Sequence, residues 1–276
     1  MDPKVIMVTQ WNEWLAQRFI WDKGDNKQYG GRPISNGGSH FVDVFSQEFN
    51  RDMAPMKDGH TDNMYYQLVA NIRRFKGMAE PLVFSPAKSI VIDGNFAEWT
   101  DVSPVFKDPV GDVMHRNHPS YDSRVMLTNT TGRNDVVESR VTGDANNIYF
   151  YVKTKGDVSP YSDSNWMLLF IDIDRNKATG WQGYDYVINH SVNSNSESVV
   201  KKFQSNQWVN VGNAKYSLNT NQMEISVSRS DLGLSSSITE FHFKWADNIQ
   251  NLTTIENFFL YGDVAPDRRF NFNYGK

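Results

Sequence analysis

Glu240-Phe241-His242-Phe243-Lys244-Trp245 alternates without a break, with three aromatic side chains on one face and His242 and Lys244 on the other. A period of two marks a half-buried β-strand, because successive side chains of an extended chain point to opposite faces. Working outward, short β-branched and aromatic runs recur at 89–92, 147–154, 166–173, 184–189, 198–203, 207–211, 222–228 and 258–261. Turn residues separate them, most explicitly at Asp144–Asn147, Ser205–Asn206 and Asn219–Asn221. No long helical period interrupts the series after about Leu82. Regular short strands of this kind predict a mainly β fold, an antiparallel β-sandwich, over 89–276.

Residues 1–80 read differently. Asp62 to Lys76 (DNMYYQLVANIRRFK) places Met64, Leu68, Ile72 and Phe75 at helical spacing, and Gly77 follows as a stop. Thr61 or Asp62 can cap its start, and Arg73, Arg74 and Lys76 suit its negative end. Val5–Val8 and Phe41–Phe45 are short apolar runs that predict buried strands. The stretch 22–39 between them, rich in Gly, Asn and charge, reads as a long functional or mobile loop. Pro81 and Pro86 stop the helix from continuing, which makes 81–88 a linker.

Composition removes several classes of function. The 276 residues carry a net charge of −4, and the first 80 hold equal numbers of basic and acidic residues, so no basic surface for nucleic acid is expected. The absence of cysteine excludes disulfides, thiolate zinc sites and cysteine nucleophiles. No apolar stretch reaches membrane-spanning length, and no signal-peptide pattern opens the chain. Aromatic residues, at 13%, suit both a β-rich core and a protein that handles sugars.

Thr9-Gln10-Trp11-Asn12-Glu13-Trp14 directly follows the first apolar run. It resembles the WNEW signature late in the (β/α)8 barrels of family 99-type glycoside hydrolases. The run Gln47 to Met56 and the helix end Ile72 to Gly77 look like the closing segment of such glycosidase-like proteins. The resemblance covers residues 5–77 and implies that 1–80 is the truncated C-terminal end of a barrel. Glu13 then lies at the strand end where barrel active sites assemble. Glycoside hydrolysis normally uses two carboxyl groups. The family's second glutamate, three residues later, is Ala16 here, so Glu48 or a residue upstream is left for the second role. Trp11, Asn12, Trp14, Trp21 and Arg51 would line the sugar cleft, aromatic faces stacking on pyranose C–H faces. The alternative is that Glu13 pairs with Arg18 or Arg51 and fixes a loop. With most of a barrel's strands absent, the chain alone is expected to be inactive and to self-associate through exposed barrel surface.

Ile92-Asp93-Gly94-Asn95-Phe96-Ala97-Glu98-Trp99, Asn147 to Val152 and Phe170 to Asp174 together resemble family 9 carbohydrate-binding modules and their DOMON-like relatives. The resemblance spans about 88–264 and implies a glycan-binding sandwich. Within it, Asp172, Asp174 and Asn176 have the first spacings of a calcium loop. Lys177 stands where an EF-hand needs glycine, and Gly183 where it needs glutamate. Two readings follow: a non-EF-hand calcium site completed by Asp185 or carbonyls, or a polar hairpin whose carboxylates cap N–H groups. Trp181, flanked by Gly180 and Gly183 and near Tyr184, is either a sugar-stacking platform or a plug on the fold's end. Trp99, Trp166, Trp208 and Trp245 are expected in the core, and His115 and His118 in a solvated loop.

These readings imply the C-terminal part of a carbohydrate-active protein, with oligo- or polysaccharide as partner and calcium as the one cofactor suggested. The alternative is a non-enzymatic sugar-binding or surface-structural protein. By analogy, the parent is periplasmic, cell-surface or secreted.

Overall fold

The computed structural model describes residues 4–8, 18–24, 27–29, 32–41, 53–55, 59–77, 80–113, 116–119, 126–235, 240–249, 252–253, 257–267 and 270–275. The chain divides into two compact units, Met1–Pro81 and Leu82–Lys276.

In the first unit the short strands are β1 (Arg18–Ile20), β2 (Lys27–Tyr29), β3 (Arg32–Ile34) and β4 (Ser39–Phe41). β1 pairs with β4 and β2 with β3, both antiparallel. The stretch expected to be one open loop therefore holds a small hairpin. Three-residue strands are too short to show a period, which is why the sequence conceals them. Val5–Val8 forms no strand, and Val5 and Met7 are 80% and 82% exposed. Phe41 ends β4, while 42–45 lie outside the described residues.

Helix α1 (Asn63–Lys76) stands where the periodicity put it. Asp62 occupies its N-cap position, but its side chain makes no capping bond, so neither expected cap operates. Gly77, at φ 81°, closes the helix by donating its N–H to the Arg73 carbonyl at 2.8 Å. Met64 and Leu68 are half-buried, and Ile72 and Phe75 are each 40% exposed. No described residue of this unit is fully buried. Among the described residues, no helix is long and apolar enough to cross a membrane.

The second unit is mainly β and antiparallel. Its strands are β5 (Phe106–Lys107), β6 (Arg116–Pro119), β7 (Met126–Asn129), β8 (Val136–Gly143), β9 (Asn147–Thr154), β10 (Leu168–Asp172), β11 (Tyr186–Val192), β12 (Glu197–Gln204), β13 (Gln207–Asn219), β14 (Gln222–Ser228) and β15 (Phe241–Asp247). A helical turn, α2 (Asn257–Leu260), precedes β16 (Asp263–Ala265) and β17 (Phe272–Tyr274). β6 and β7 form a separate hairpin. The others make one sheet in the order β16-β15-β10-β11-β12-β13-β14-β9-β8-β5, with β17 also pairing β15.

That sheet corrects the expected sandwich. Instead of two stacked layers, one continuous sheet curls until β16 comes back alongside β8, a nearly closed barrel. Register shifts between Val136 and Glu138, Ile188 and Val192, and Val200 and Lys201 let the strands bend without losing their ladders. Alternation says only that one face is buried. Whether the ladder breaks into two sheets or bends through its corners is a matter of pairing.

The concave face holds the main core, including Phe150, Leu169, Ile171, Ile188, Ile225, Phe241, Phe243 and Trp245, each fully buried. The predicted alternation of Phe241, Phe243 and Trp245 against His242 and Lys244 holds in β15. The convex face carries two smaller clusters. One, around Trp99, Tyr149 and Tyr151, is covered by residues 90–102, which take in most of the expected strand 89–92; that run is not a strand. Trp99 donates its indole N–H to Glu224 at 2.9 Å, and the Asp93 and Gly94 amides donate to the same buried carboxylate. The other cluster, around Phe170, Trp181 and Phe258, is covered by α2, where 258–261 was expected to be extended.

Candidate functional site

The loop between β10 and β11 carries most of the candidate residues that the structure describes. β10 delivers Asp172 fully buried at its end, and Asp185 immediately precedes β11. One carboxylate oxygen each from Asp172, Asp174 and Asp185 lies within 4.8 Å of the others. Three of the four sequence-predicted metal residues are thus brought together.

Their hydrogen bonds run largely within the loop. Asp174 accepts from the Thr179 hydroxyl at 2.9 and 3.0 Å and from the Asn176 amide at 2.9 Å. Asn176 turns its own side-chain oxygen to the Ala178 amide at 3.0 Å. Asp185 accepts from the Ile173 amide at 2.9 Å, and burial, more than that bond relieves, pushes its carboxyl above the usual range. Lys177 places its ammonium 2.9 Å from Asp172 Oδ2, and His242 Nδ1 lies 3.5 Å from the same oxygen. Asn271, oriented to satisfy both ends of its amide, accepts from Lys177 at 2.8 Å and donates to the Tyr184 hydroxyl at 2.6 Å. Lys177, the residue that spoils an EF-hand pattern, therefore offsets the charge of Asp172 from within the loop. Asp172 Oδ1 remains buried without a hydrogen-bond partner.

Trp181 and Tyr184 are tied by two backbone hydrogen bonds of 2.8 and 2.9 Å. Gly180 permits this turn: at φ 62°, a Cβ there would lie 2.2 Å from the Tyr184 carbonyl oxygen. Trp181 is 7% exposed and Tyr184 1%. The Trp181 ring stacks on Phe170 at 5.7 Å and meets Phe258 edge-on at 5.9 Å. Its faces are covered, as a plug requires and an open platform does not. Burial pushes the Tyr184 phenol above its ordinary range.

Of the tryptophans expected in the core, Trp99, Trp166 and Trp245 are at most 1% exposed. Trp208 is different. It is half-buried, packs edge-on against half-buried Phe203 at 5.1 Å and lies 6.4 Å from Trp181. Ser205 and Asn206, both at positive φ, turn the chain between β12 and β13 and bring the two rings together.

In the first unit, Trp11, Asn12, Glu13, Trp14, Glu48 and Arg51 lie outside the described residues. Trp21 is half-buried, its indole N–H bonded to the Gly24 carbonyl and its amide to the Gly38 carbonyl at 2.9 Å. His115 and the side chain of His118 also lie outside the described residues.

A second acidic group, absent from the sequence reading, gathers Asp108, Asp112 and Asp263, one oxygen of each within 4.8 Å of the others. Burial pushes Asp108 up to about 8, and the charges of Asp263, Asp112 and Asp267 act in the same direction. Burial likewise raises Asp263 to about 8, although its bond from the Val136 amide opposes this. Asp263 lies more than 150 positions from the other two, so no local spacing could have signalled the group. No protein-family model matches the chain, and no curated protein matches it.

Proposed function

We propose that the second unit binds carbohydrate and that the chain is the C-terminal part of a carbohydrate-active protein. The observation that carries this reading is the half-exposed Trp208–Phe203 pair on the convex face of the curled sheet, backed by buried Trp181 and Phe170. A rigid aromatic face of this kind matches the C–H face of a pyranose ring. Gln204, Ser205, Asn206 and Gln207, all exposed beside it, supply donors and acceptors for sugar hydroxyls. Trp208 takes over the stacking role first considered for Trp181, which serves as its support. The resemblance of 5–77 to a barrel end adds Glu13 as a residue of the parent protein's glycan site.

The test is a glycan array probed with the full chain, followed by calorimetry on any retained oligosaccharide. Trp208→Ala is expected to weaken binding by roughly 1–3 kcal/mol, as for other rings stacked on aromatic side chains. Failure to retain any glycan, or binding indifferent to Trp208→Ala, would reject the reading.

A further inference from the structure

We propose that Asp108, Asp112 and Asp263 form a calcium site that ties the open seam of the curled sheet. Asp108 follows β5 at one end of the strand path, and Asp112 sits in the next turn. Asp263 opens β16, the strand at the other end of the path. The three carboxylates therefore meet where the two edges of the sheet approach, and Asp263 already reaches across, accepting the Val136 amide of β8 at 2.6 Å.

The second observation is a set of orphaned oxygens. Asp108 is 93% buried and its Oδ2 has no hydrogen-bond partner; both oxygens of Asp112 are also buried and unpartnered. Leaving buried carboxylate oxygens unsatisfied is costly, and native proteins rarely do it without a ligand or water. Among the described residues no Lys, Arg or His forms an ion pair with any of the three. The nearby ammonium of Lys244 is directed at the Pro266 and Phe270 carbonyls instead. Asp135 accepts the Gly111 amide at 2.9 Å and so holds the turn that presents Asp112.

The donor set selects the ion. Carboxylate oxygens without sulfur or imidazole suit a hard cation rather than zinc or copper. Calcium takes 6–8 oxygens at 2.3–2.6 Å, so ligands on opposite sides of it stand about 4.8 Å apart. The three oxygens lie within that span. Backbone carbonyls and water complete such a shell; magnesium, which keeps several of its waters and takes one or two carboxylates, suits three buried protein carboxylates less well.

The experiment uses the full chain freed of metal with EGTA, titrated with calcium chloride alone and followed by calorimetry and thermal melting. Saturating calcium is expected to raise the Tm by roughly 5–10 °C. Asp112→Asn, which keeps the shape and removes one charge, should abolish most of that rise and leave the calcium-free Tm equal or higher. Asp108→Asn is the second variant, and Asp174→Asn tests the other acidic group. A shift that survives in Asp112→Asn and Asp108→Asn but disappears in Asp174→Asn would overturn the assignment. So would the absence of any heat or shift at millimolar calcium.

Discussion

Two trios of aspartates sit in the second unit, and they meet the burial of carboxyl groups in different ways. The Asp172 group lies within one loop, where Lys177 pairs with Asp172 while Thr179 and backbone amides occupy Asp174 and Asp185, leaving one orphaned oxygen on Asp172. The Asp108 group is assembled from both ends of the sheet and holds three orphaned oxygens with no ion pair among the described residues. A metal-like spacing in sequence thus produced a hairpin that meets most of its own polar needs, and residues with no common motif produced the less satisfied group. Proximity in sequence lets a loop solve its own charge problem. In the Asp108 group, residues brought together by closure of the sheet leave that problem open, whereas buried Glu224 and Asp247, likewise distant from their partners, are satisfied within the fold.

The largest expected effect tests whether the Asp172 loop is held by its aromatic anchor. Trp181→Ala removes a ring packed against Phe170 and Phe258 and should cost about 3–5 kcal/mol, measured as a shift in urea midpoint. A loss under 1 kcal/mol would show that the loop stands without it. Lys177→Met attacks the comparison directly, because it leaves Asp172 buried without its cation. With the lysine side chain 58% exposed, a cost of about 1–2 kcal/mol is expected, discounted for solvent. The variant should also acquire a calcium response that survives Asp112→Asn. If it does not, charge balance is not what separates the two groups.

Trp208→Ala should cost no more than about 2 kcal/mol of stability, since the ring is only half-buried, and melting curves beside those of Trp181→Ala would rank the two rings. The smallest effect concerns an aspartate that needs neither metal nor lysine. Asp144 lies in the β8–β9 turn; desolvation raises its pKa, but hydrogen bonds from Ser89, Tyr149, Asn146 and Asn147 outweigh that and lower it to about 2. A depressed folded pKa means stability that is present above the unfolded value near 3.8 and is lost as pH falls towards 2. Wild type and Asp144→Asn should therefore differ more in urea midpoint at pH 5 than at pH 2.5. An unchanged gap would remove Asp144 from the account.

The parts that the sequence hides are either irregular or short. β8 is hidden because the register shift between Val136 and Glu138 breaks the period of two and a polar residue, Ser139, faces inward. Ser139 is satisfied there, donating to the Tyr151 carbonyl at 2.6 Å and accepting from the Trp245 indole at 2.9 Å. The run Phe258–Tyr261 reads as extended, although Phe258–Leu260 lie in α2, because four residues cannot reveal a period. Asp172, Asp174 and Asp185 were legible as a group because spacing within one loop limits where they can go.

Alternation along 240–245, the turn residues at 144–147 and 205–206 and the helical stripe of 62–76 determined, without a structure, that a helix ends the first region and that a mainly antiparallel β region follows it. Local geometry suffices for that, since period and turn type are properties of neighbouring residues. Only the tertiary structure decided that the strands make one curled sheet and that Trp208 stays half-buried while Trp181 is buried. It alone brings Asp263 to Asp108. Those facts depend on which edges meet across the fold, and the pairing energies that choose them are shared by residues far apart in the chain.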